Sequence, residues 1–235
     1  DLRMSRGLGD VYKRQDICRS RKNIYKSIMG GAEYMKSIKK YETIINEALR
    51  SALEYDTPEG QINEFISFFG KHIGSDRIYI FEDDEEHHVT NNTYEWCAEG
   101  ITPQIEHLQG VNMEVIDWWY DTFDEGKSVI ISDVEELKGV HQVSYNMLKY
   151  QNVCKVVVSP LRHKGQIKGF FGVDNPPAVD YNALTMFLDM IGTMLISLLK
   201  IRNTFQKEQY NASMSSYSAL SEIYLCMHLI DIKTG

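Results

Sequence analysis

The chain has 235 residues, of which 43% are hydrophobic, and its formal net charge is -8 at pH 7. This length and apolar content suffice for one globular domain with flanking helices, or for two small domains. The negative charge argues against a nucleic-acid surface, which would require a basic face. The longest uncharged apolar run, Met190–Leu199, is about half as long as a membrane-spanning helix, so no membrane partner is expected.

The cysteines and the N-terminal region point to a cytoplasmic protein. The four cysteines are widely separated and form no Cys-x-x-Cys pair; they are Cys18, Cys97, Cys154 and Cys226. In a chain with an adequate core, this pattern is typical of free thiols in a reducing compartment. The N-terminal region carries charge but no apolar segment of the kind found in a secretory signal.

The first residues of the chain do not read as part of a folded domain. The string from Gly9 to Gln15 is similar to translated sequencing-adaptor DNA, and position 1 is not Met. We interpret residues 1–15 as a non-native leader, the alternative being a disordered native leader, and exclude them from the prediction of the fold. Residues 16–34 are expected to form a linker.

Two helices are predicted next. Apolar residues recur at spacings of three and four between Met35 and Leu53, which predicts an amphipathic helix with one buried stripe. A second helix is expected to begin at Thr57, a good N-cap residue, with Pro58 in its first turn. This helix should end near Gly74, because glycine is the common residue just beyond a helix C-terminus.

Strand patterns follow these helices. Arg77–Glu82 alternates in the manner of a strand, and a second strand is expected around Thr93–Cys97, after an acidic turn. A short helix is predicted around Val115–Tyr120. Ser128–Ser132 is expected to form the third strand, and Gln142–Tyr150 another helix.

The clearest pattern lies between Val153 and Pro176. Its β-branched and aromatic runs, bounded by Gly and Pro, predict two strands joined by a tight turn. The stretch from Tyr181 to about Ser218 predicts one very long helix, or two in close succession. This order of elements predicts an α+β fold in which helices cover an antiparallel sheet.

The order and spacing of these pieces resemble a GAF domain, a small-molecule sensor and dimerisation module of signalling proteins. The resemblance covers roughly residues 40–205, and we place the domain with its flanking helices at 35–205. It is carried by the final hairpin, the flanking helices and three segments, which are Arg77–Glu82, Asn92–Cys97 and Gly126–Asp133. It implies a central antiparallel sheet of about six strands, with the first and last helices on one face and a ligand pocket on the other.

The resemblance also implies which residues surround the pocket. The candidate pocket residues are Trp118, Trp119, Asp133, His141, Tyr145, Cys154 and Ser159. Each has an alternative role as a cap, a turn or a core residue, and we interpret Cys97 and Cys154 as buried apolar cysteines. The acidic run Asp83–His88 is interpreted as a solvated turn and not as a metal site. No catalytic constellation or metal site is predicted, and the identity of any cofactor is left unknown. The ligand signatures of cyclic-nucleotide and bilin-binding relatives are not found.

The long C-terminal helix carries a heptad-like seam. Its members are Leu184, Leu188, Ile191, Leu195, Leu198, Arg202 and Phe205. The seam predicts a parallel homodimer that transmits a ligand-induced shift, with Arg202 fixing the register. The alternative is that this face covers the sheet of its own domain.

Residues 206–235 are expected to form a signalling helix and the truncated start of a PAS-like domain, since Ser218–Gly235 resembles a helix that leads into a strand. This arrangement resembles sensors of diguanylate cyclases, whose GGDEF domain would produce cyclic-di-GMP and is absent from the chain. Three alternatives stay open. They are a ligand-free dimerisation scaffold, the sensor of a histidine kinase or transcription factor, and an enzyme of the methionine-sulfoxide-reductase type that uses Cys97 and Cys154.

Overall fold

A computed structural model describes residues 31–177 and 181–234, with side chains described up to residue 215. The predicted leader, residues 1–15, lies outside the described residues, as does most of the predicted linker. Residues 31–34 are already helical and not part of a linker.

The described residues form five α-helices and six β-strands. The helices are α1 (31–52), α2 (Pro58–Ile73), α3 (Asp117–Asp124), α4 (Gln142–Tyr150) and α5 (Tyr181–Thr234). The strands are β1 (Arg77–Asp84), β2 (Val89–Cys97), β3 (Val111–Asn112), β4 (Val129–Ile131), β5 (Val156–His163) and β6 (Gln166–Asp174). Two short 3-10 helices, Met113–Ile116 and Val134–Leu137, complete the structure. The predicted α+β fold is confirmed.

All six strands belong to one antiparallel sheet with the order β3-β2-β1-β6-β5-β4. The predicted hairpin is formed by β5 and β6, and its turn places Lys164 and Gly165 at positive φ. Two central turn residues at positive φ match the right-handed twist of paired strands. The hairpin brings β6 next to β1, so the first and last strands in sequence occupy the centre of the sheet.

The sheet separates two hydrophobic cores, because successive side chains of a strand point to opposite faces. Ile78 and Ile80 of β1 belong to the larger core, which α1, α2 and α5 complete; we call this side the helix face. Tyr79 and Phe81 belong to the smaller core beneath α3 and α4; we call this side the lid face and these two helices the lid. The domain therefore has three layers, as the resemblance implied.

Helix α2 begins and ends where the sequence predicts. Thr57 Oγ1 accepts a hydrogen bond from the Gly60 amide at 3.1 Å, and Gly74 has a left-handed φ of 78°. Gly70 lies in the last turn of the helix, where a side chain would overlap the ring of Trp96. The glycine thus lets α2 approach β2 closely, at a cost in helix propensity of about 1 kcal/mol relative to alanine.

The predicted seam of α5 packs mainly within its own domain. Leu184, Leu188, Ile191 and Leu195 are fully buried in the larger core, and Leu198 packs against it. The alternative interpretation therefore describes these residues: this face of α5 covers the sheet. Arg202 also turns toward the sheet, where it forms an ion pair with Glu82, whereas Phe205 is 42% exposed. A partner helix would have to use Phe205 and exposed residues of α5 outside this seam.

Two further features of α5 bear on the predictions. By length and composition, its segment Tyr181–Ser215 is apolar enough to cross a membrane, but 44% of the apolar window is buried inside the domain. The helix continues to Thr234, where we expected a strand to begin. The strand predicted at the end of Ser218–Gly235 is thus replaced by helix up to the last described residue.

Candidate functional site

Two neighbouring cavities lie on the lid face. The first is a narrow apolar cavity of about 40 Å³ between the sheet and the lid. Its apolar lining includes Tyr79, Phe81, Ile116, Trp119, Leu148 and Phe170. The second is wider, about 380 Å³, and lies between the loop 100–104 and the turn 150–153. Arg77, Gln151 and Asp174 line both cavities and therefore mark where they meet.

A buried ion pair stands at this junction. Arg77 begins β1 and Asp174 ends β6, and the antiparallel register places the two residues opposite each other. Arg77 Nη1 donates to Asp174 Oδ2 at 2.7 Å, and both side chains are 3% exposed. A buried charge requires such a partner, because leaving it unpaired in a low-dielectric interior costs several kcal/mol.

Glu95 of β2 extends the ion pair into a cluster of three charges. Its Oε1 lies 3.3 Å from Arg77 Nε, so the guanidinium group lies between two carboxylates. Its Oε2 accepts hydrogen bonds from the amides of Gln104 and Ile105 at 2.8 and 3.1 Å. We call Arg77, Glu95 and Asp174 the charged floor.

Burial perturbs the ionisation of the charged floor. Burial raises the pKa of Asp174 to about 6, although the positive charge of Arg77 acts in the opposite direction. Asp174 Oδ1 is buried, and among the described residues it has no hydrogen-bond partner in good geometry. A buried carboxylate oxygen without a donor is costly, and such groups are frequent at functional sites.

Tyr79 covers the charged floor on its apolar side. The ring lies over Gly172 of β6, where any side chain would overlap it. Burial and the neighbouring carboxylate of Asp174 both raise the pKa of the Tyr79 phenol well above its ordinary value. The phenol therefore remains protonated and is available as a donor beside Asp174.

The lid is attached to the sheet and to itself by aromatic side chains. Trp119 is 3% exposed and reaches into the apolar cavity, where its ring lies edge-on against Phe170. Trp118 stacks on His141 at 4.3 Å and donates from Nε1 to Ser144 Oγ at 3.1 Å, which joins α3 to α4. Tyr120 donates to Asp83 Oδ1 at 2.7 Å, which joins α3 to β1.

The predicted pocket residues fall into different places. Trp119 lines the apolar cavity, as its place in the predicted site requires. Trp118 and His141 stack on each other at the outer side of the lid and line a separate surface groove. Asp133 caps the second 3-10 helix by accepting from the Glu135 amide, and Tyr145 donates to the Glu135 carboxylate. These last two have the structural roles that were left open as alternatives.

Ser159 and Cys154 lie away from both cavities. Ser159 is buried on the helix face, where its hydroxyl is 2.7 Å from that of Ser128. Its position follows from strand alternation, because its neighbour Val158 faces the lid. Cys154 is an exposed free thiol, so the expectation of a buried cysteine is wrong for this residue. Cys97 is half-buried, and burial raises the pKa of its thiol.

The sequence interpretation missed the charged floor. Arg77, Glu95 and Asp174 were seen only as members of strands, as was Tyr79. The available signal was an arginine at the start of one apolar strand and an aspartate at the end of another. That signal becomes informative only when β1 and β6 are known to be neighbours.

The acidic turn has the solvated character that we expected. His87 Nδ1 lies 2.8 Å from Asp84 Oδ2, and both side chains are exposed. Within residues 31–177 and 181–234, no group of three His, Cys, Asp or Glu side chains is placed to hold a metal ion.

Comparisons with known proteins identify the fold. No family model and no curated protein match the sequence. Among solved structures, the phycocyanobilin-bound GAF domain of a cyanobacterial phytochrome is 16% identical, with a TM-score of 0.55, over 71% of this chain and 96% of that one. The GAF domain of a Coxiella burnetii phosphoenolpyruvate-protein phosphotransferase is 9% identical, with a TM-score of 0.56, over 72% and 98%. The free methionine-R-sulfoxide reductase of Neisseria meningitidis, solved with its substrate, is 11% identical, with a TM-score of 0.53, over 71% and 92%. The chain has the fold of GAF domains, as its sequence resemblance predicted.

Proposed function

We propose that this chain is a cytoplasmic sensor domain that binds a small molecule on the lid face and transmits its presence through α5. The observation that carries the proposal is the charged floor, where buried charges meet at the junction of two cavities. Buried charges cost stability, so a fold keeps them where they bind or react. The solved GAF domain of a cyanobacterial phytochrome, which holds phycocyanobilin, shows that this fold accommodates small molecules.

Strand β1 connects the lid to α5. Asp83 accepts a hydrogen bond from Tyr120 of the lid at 2.7 Å. The preceding residue, Glu82, faces the other side of the sheet and binds Arg202 of α5 at 2.8 and 2.7 Å. Because neighbouring residues of one strand hold both elements, a displacement of the lid can shift the attachment of α5.

Arg202 marks the end of the contact between α5 and the sheet. Its guanidinium group also donates to Tyr94 Oη at 3.2 Å and lies over the ring of Tyr94. Beyond it, α5 keeps a hydrogen bond from Gln206 to Glu59 of α2, and residues 206–215 are all exposed. Helix α5 therefore extends beyond the domain, and a ligand that favours one lid position would bias its direction by its differential affinity for the two states.

The exposed side of α5 supports a homodimer as part of the proposal. Up to residue 215, the exposed apolar side chains of α5 are Met186, Met190, Ile201, Phe205, Tyr210 and Met214. At 3.6 residues per turn, the first four fall within about 100° of one another around the helix. A second copy of the helix would bury this stripe, of which Phe205 alone belongs to the predicted seam. The output domain that we propose is a diguanylate cyclase of the GGDEF type, linked covalently to α5. Sequencing the source DNA beyond Gly235 tests this last step.

A metabolite screen by thermal shift tests the sensor proposal, because a ligand that binds only the folded state raises its stability. We expect a saturable rise in melting temperature, and a change in amide hydrogen exchange in residues 206–215. In Glu82→Gln the ligand should still bind, but amide hydrogen exchange in residues 206–215 should no longer change when the ligand is added. Glu86→Gln, in the exposed turn, is the matched control. If α5 responds equally in Glu82→Gln, the proposed route through β1 is wrong.

A ligand-free dimerisation scaffold is the second candidate, and one observation favours it. The apolar cavity of about 40 Å³ has room for about three water molecules. If no metabolite shifts the melting temperature while the chain remains dimeric, the scaffold is the better description. An enzyme that uses Cys97 and Cys154 is less favoured, because burial raises the pKa of the Cys97 thiol and so lowers its thiolate fraction.

A further inference from the structure

The side chains around the junction of the cavities carry a net negative charge. Arg77 is the cation at the junction, and three carboxylates lie beside it or on the wall of the wider cavity. They belong to Asp76, Glu95 and Asp174. A negatively charged ligand would therefore meet more like charge than opposite charge.

Hydrogen bonds or ion pairs already engage all three nitrogens of the Arg77 guanidinium group, of which Nε is buried beside Glu95 without a hydrogen bond in good geometry among the described residues. Nη1 donates to Asp174 at 2.7 Å, Nη2 donates to the carbonyl of Thr102 at 3.0 Å, and Nε faces Glu95 at 3.3 Å. A carboxylate or phosphate ligand would have to displace one of these partners. Arg77 thus holds the site together and is a poor recognition group for an anion.

Asp174 offers the opposite situation. Asp174 is 2% exposed and lines both cavities. Within the part of the chain that the structure describes, its Oδ1 atom has no hydrogen-bond partner in good geometry. Glu95, in contrast, has its Oε2 atom filled by two backbone amides. The Tyr79 phenol is a neighbouring donor beside Asp174, but it makes no hydrogen bond to Oδ1 in good geometry. Oδ1 of Asp174 is therefore the acceptor with remaining capacity for a ligand that donates.

The shape of the site limits the size of the apolar part of such a ligand. The wider cavity is mostly polar in its lining and gives access to Asp174. The apolar cavity of about 40 Å³ holds about three water molecules, which corresponds to a chain of about three carbons. Its walls include Tyr79, Trp119 and Phe170, whose ring faces also attract cations.

We propose that the ligand class of this site is a small organic cation, a protonated primary amine with a short apolar chain. Its ammonium group donates to Asp174 Oδ1, and its chain enters the apolar cavity beside Trp119. This assignment rests on the proposed sensor function and adds the chemical class of the ligand to it.

Three matched probes test the class with the wild-type protein. They are n-propylammonium chloride, 1-propanol and sodium propionate, which share a three-carbon skeleton and differ in charge. The readout is the indole resonance of each tryptophan in a proton–nitrogen correlation spectrum. We expect propylammonium to move the Trp119 indole signal saturably, with a dissociation constant in about the millimolar range, as suits so small a ligand.

The other two tryptophans are internal controls. Trp96 packs on the helix face, and Trp118 Nε1 is bonded to Ser144 within the lid. Neither signal should move as far as that of Trp119. Asp174→Asn should weaken propylammonium binding at least tenfold, whereas Asp124→Asn, which removes an exposed carboxylate of α3, should leave it unchanged.

Each other outcome overturns the assignment. Saturable binding of propionate in preference to propylammonium would assign recognition to Arg77, and the sensor proposal would survive with a different ligand class. If propanol binds as tightly as propylammonium, the site does not recognise the positive charge of the ligand. If propylammonium does not bind up to about 50 mM, well above the dissociation constant expected for a ligand of its size, the amine is also rejected. The metabolite screen would then still decide whether the domain is a sensor. If Asp174→Asn does not fold, the three-probe comparison on wild-type protein stands by itself.

Discussion

The two faces of the sheet differ in what they bury. The helix face buries aliphatic and aromatic side chains from β1, β6 and three helices. The lid face buries a comparable aromatic cluster, but it also contains the charged floor and the two cavities. Both faces belong to the same strands, so the difference comes from the side chains that each face presents. The helix face is an apolar core that stabilises the fold. The lid face contains buried charges and cavities, both of which reduce stability.

Phe170 and Phe171 offer the largest test of this comparison. They are neighbours in β6 with nearly equal burial, and they face the lid and the helices respectively. Phe171→Ala should reduce the free energy of unfolding by about 3–5 kcal/mol, because it opens a new cavity in a packed core. Phe170→Ala should cost less, since its ring already borders a cavity. Urea denaturation of both variants measures the difference, and equal losses would mean that the two faces are packed equally well.

Breaking the charged floor should have the next largest effect. Arg77→Met leaves Asp174 and Glu95 without their buried cation and should cost about 3 kcal/mol. The double variant Arg77→Met with Asp174→Leu should recover part of this loss, because both members of the pair are then apolar. A double-mutant cycle in urea measures the coupling. Additive losses would show that the two residues do not act as a pair.

The pH dependence of stability gives a related prediction. The pKa of Asp174 is raised from an ordinary 3.8 to about 6 in the folded protein. The folded state therefore binds its proton more tightly than the unfolded state, and stability falls as pH rises from about 4 to about 6. At pH values above this range, the ionisation of Asp174 should have lowered the free energy of unfolding by about 3 kcal/mol. Asp174→Asn removes this contribution, so the difference between the wild-type and variant curves isolates it. If the difference in stability between wild type and variant does not change with pH, the raised pKa of Asp174 is contradicted.

Breaking the ion pair between Glu82 of β1 and Arg202 of α5 should have the smallest effect on stability. Glu82 and Arg202 are partly exposed, at 20% and 11% of their side chains. Replacing Arg202 by Met should therefore cost only about 1 kcal/mol, although this pair has two short hydrogen bonds. The effect should be seen instead in hydrogen exchange of residues 206–215, with Lys207→Met as the exposed control on the same helix. Unchanged exchange in Arg202→Met would mean that Arg202 does not hold α5 to the sheet.

Local patterns in the sequence predicted the helices and every strand of the described sheet except the two-residue β3. The N-cap at Thr57, the glycine at Gly74 and the turn between β5 and β6 were predicted because caps, turns and periodicity act over a few residues. The resemblance to a GAF domain then supplied the three-layer arrangement, which the structure confirms. It also supplied the pocket, of whose predicted residues only Trp119 lines either of the two cavities, namely the apolar one.

Which residues form the site and what α5 covers depend on contacts between distant parts of the chain, which local sequence patterns do not contain. Arg77 and Asp174 are 97 positions apart in the sequence, and their pairing depends on the register between β1 and β6. The seam of α5 has the same spacing whether it meets a second copy or its own sheet, so periodicity could not distinguish the two. Burial in the larger core decided this, because apolar side chains pack against whichever surface the fold brings close to them.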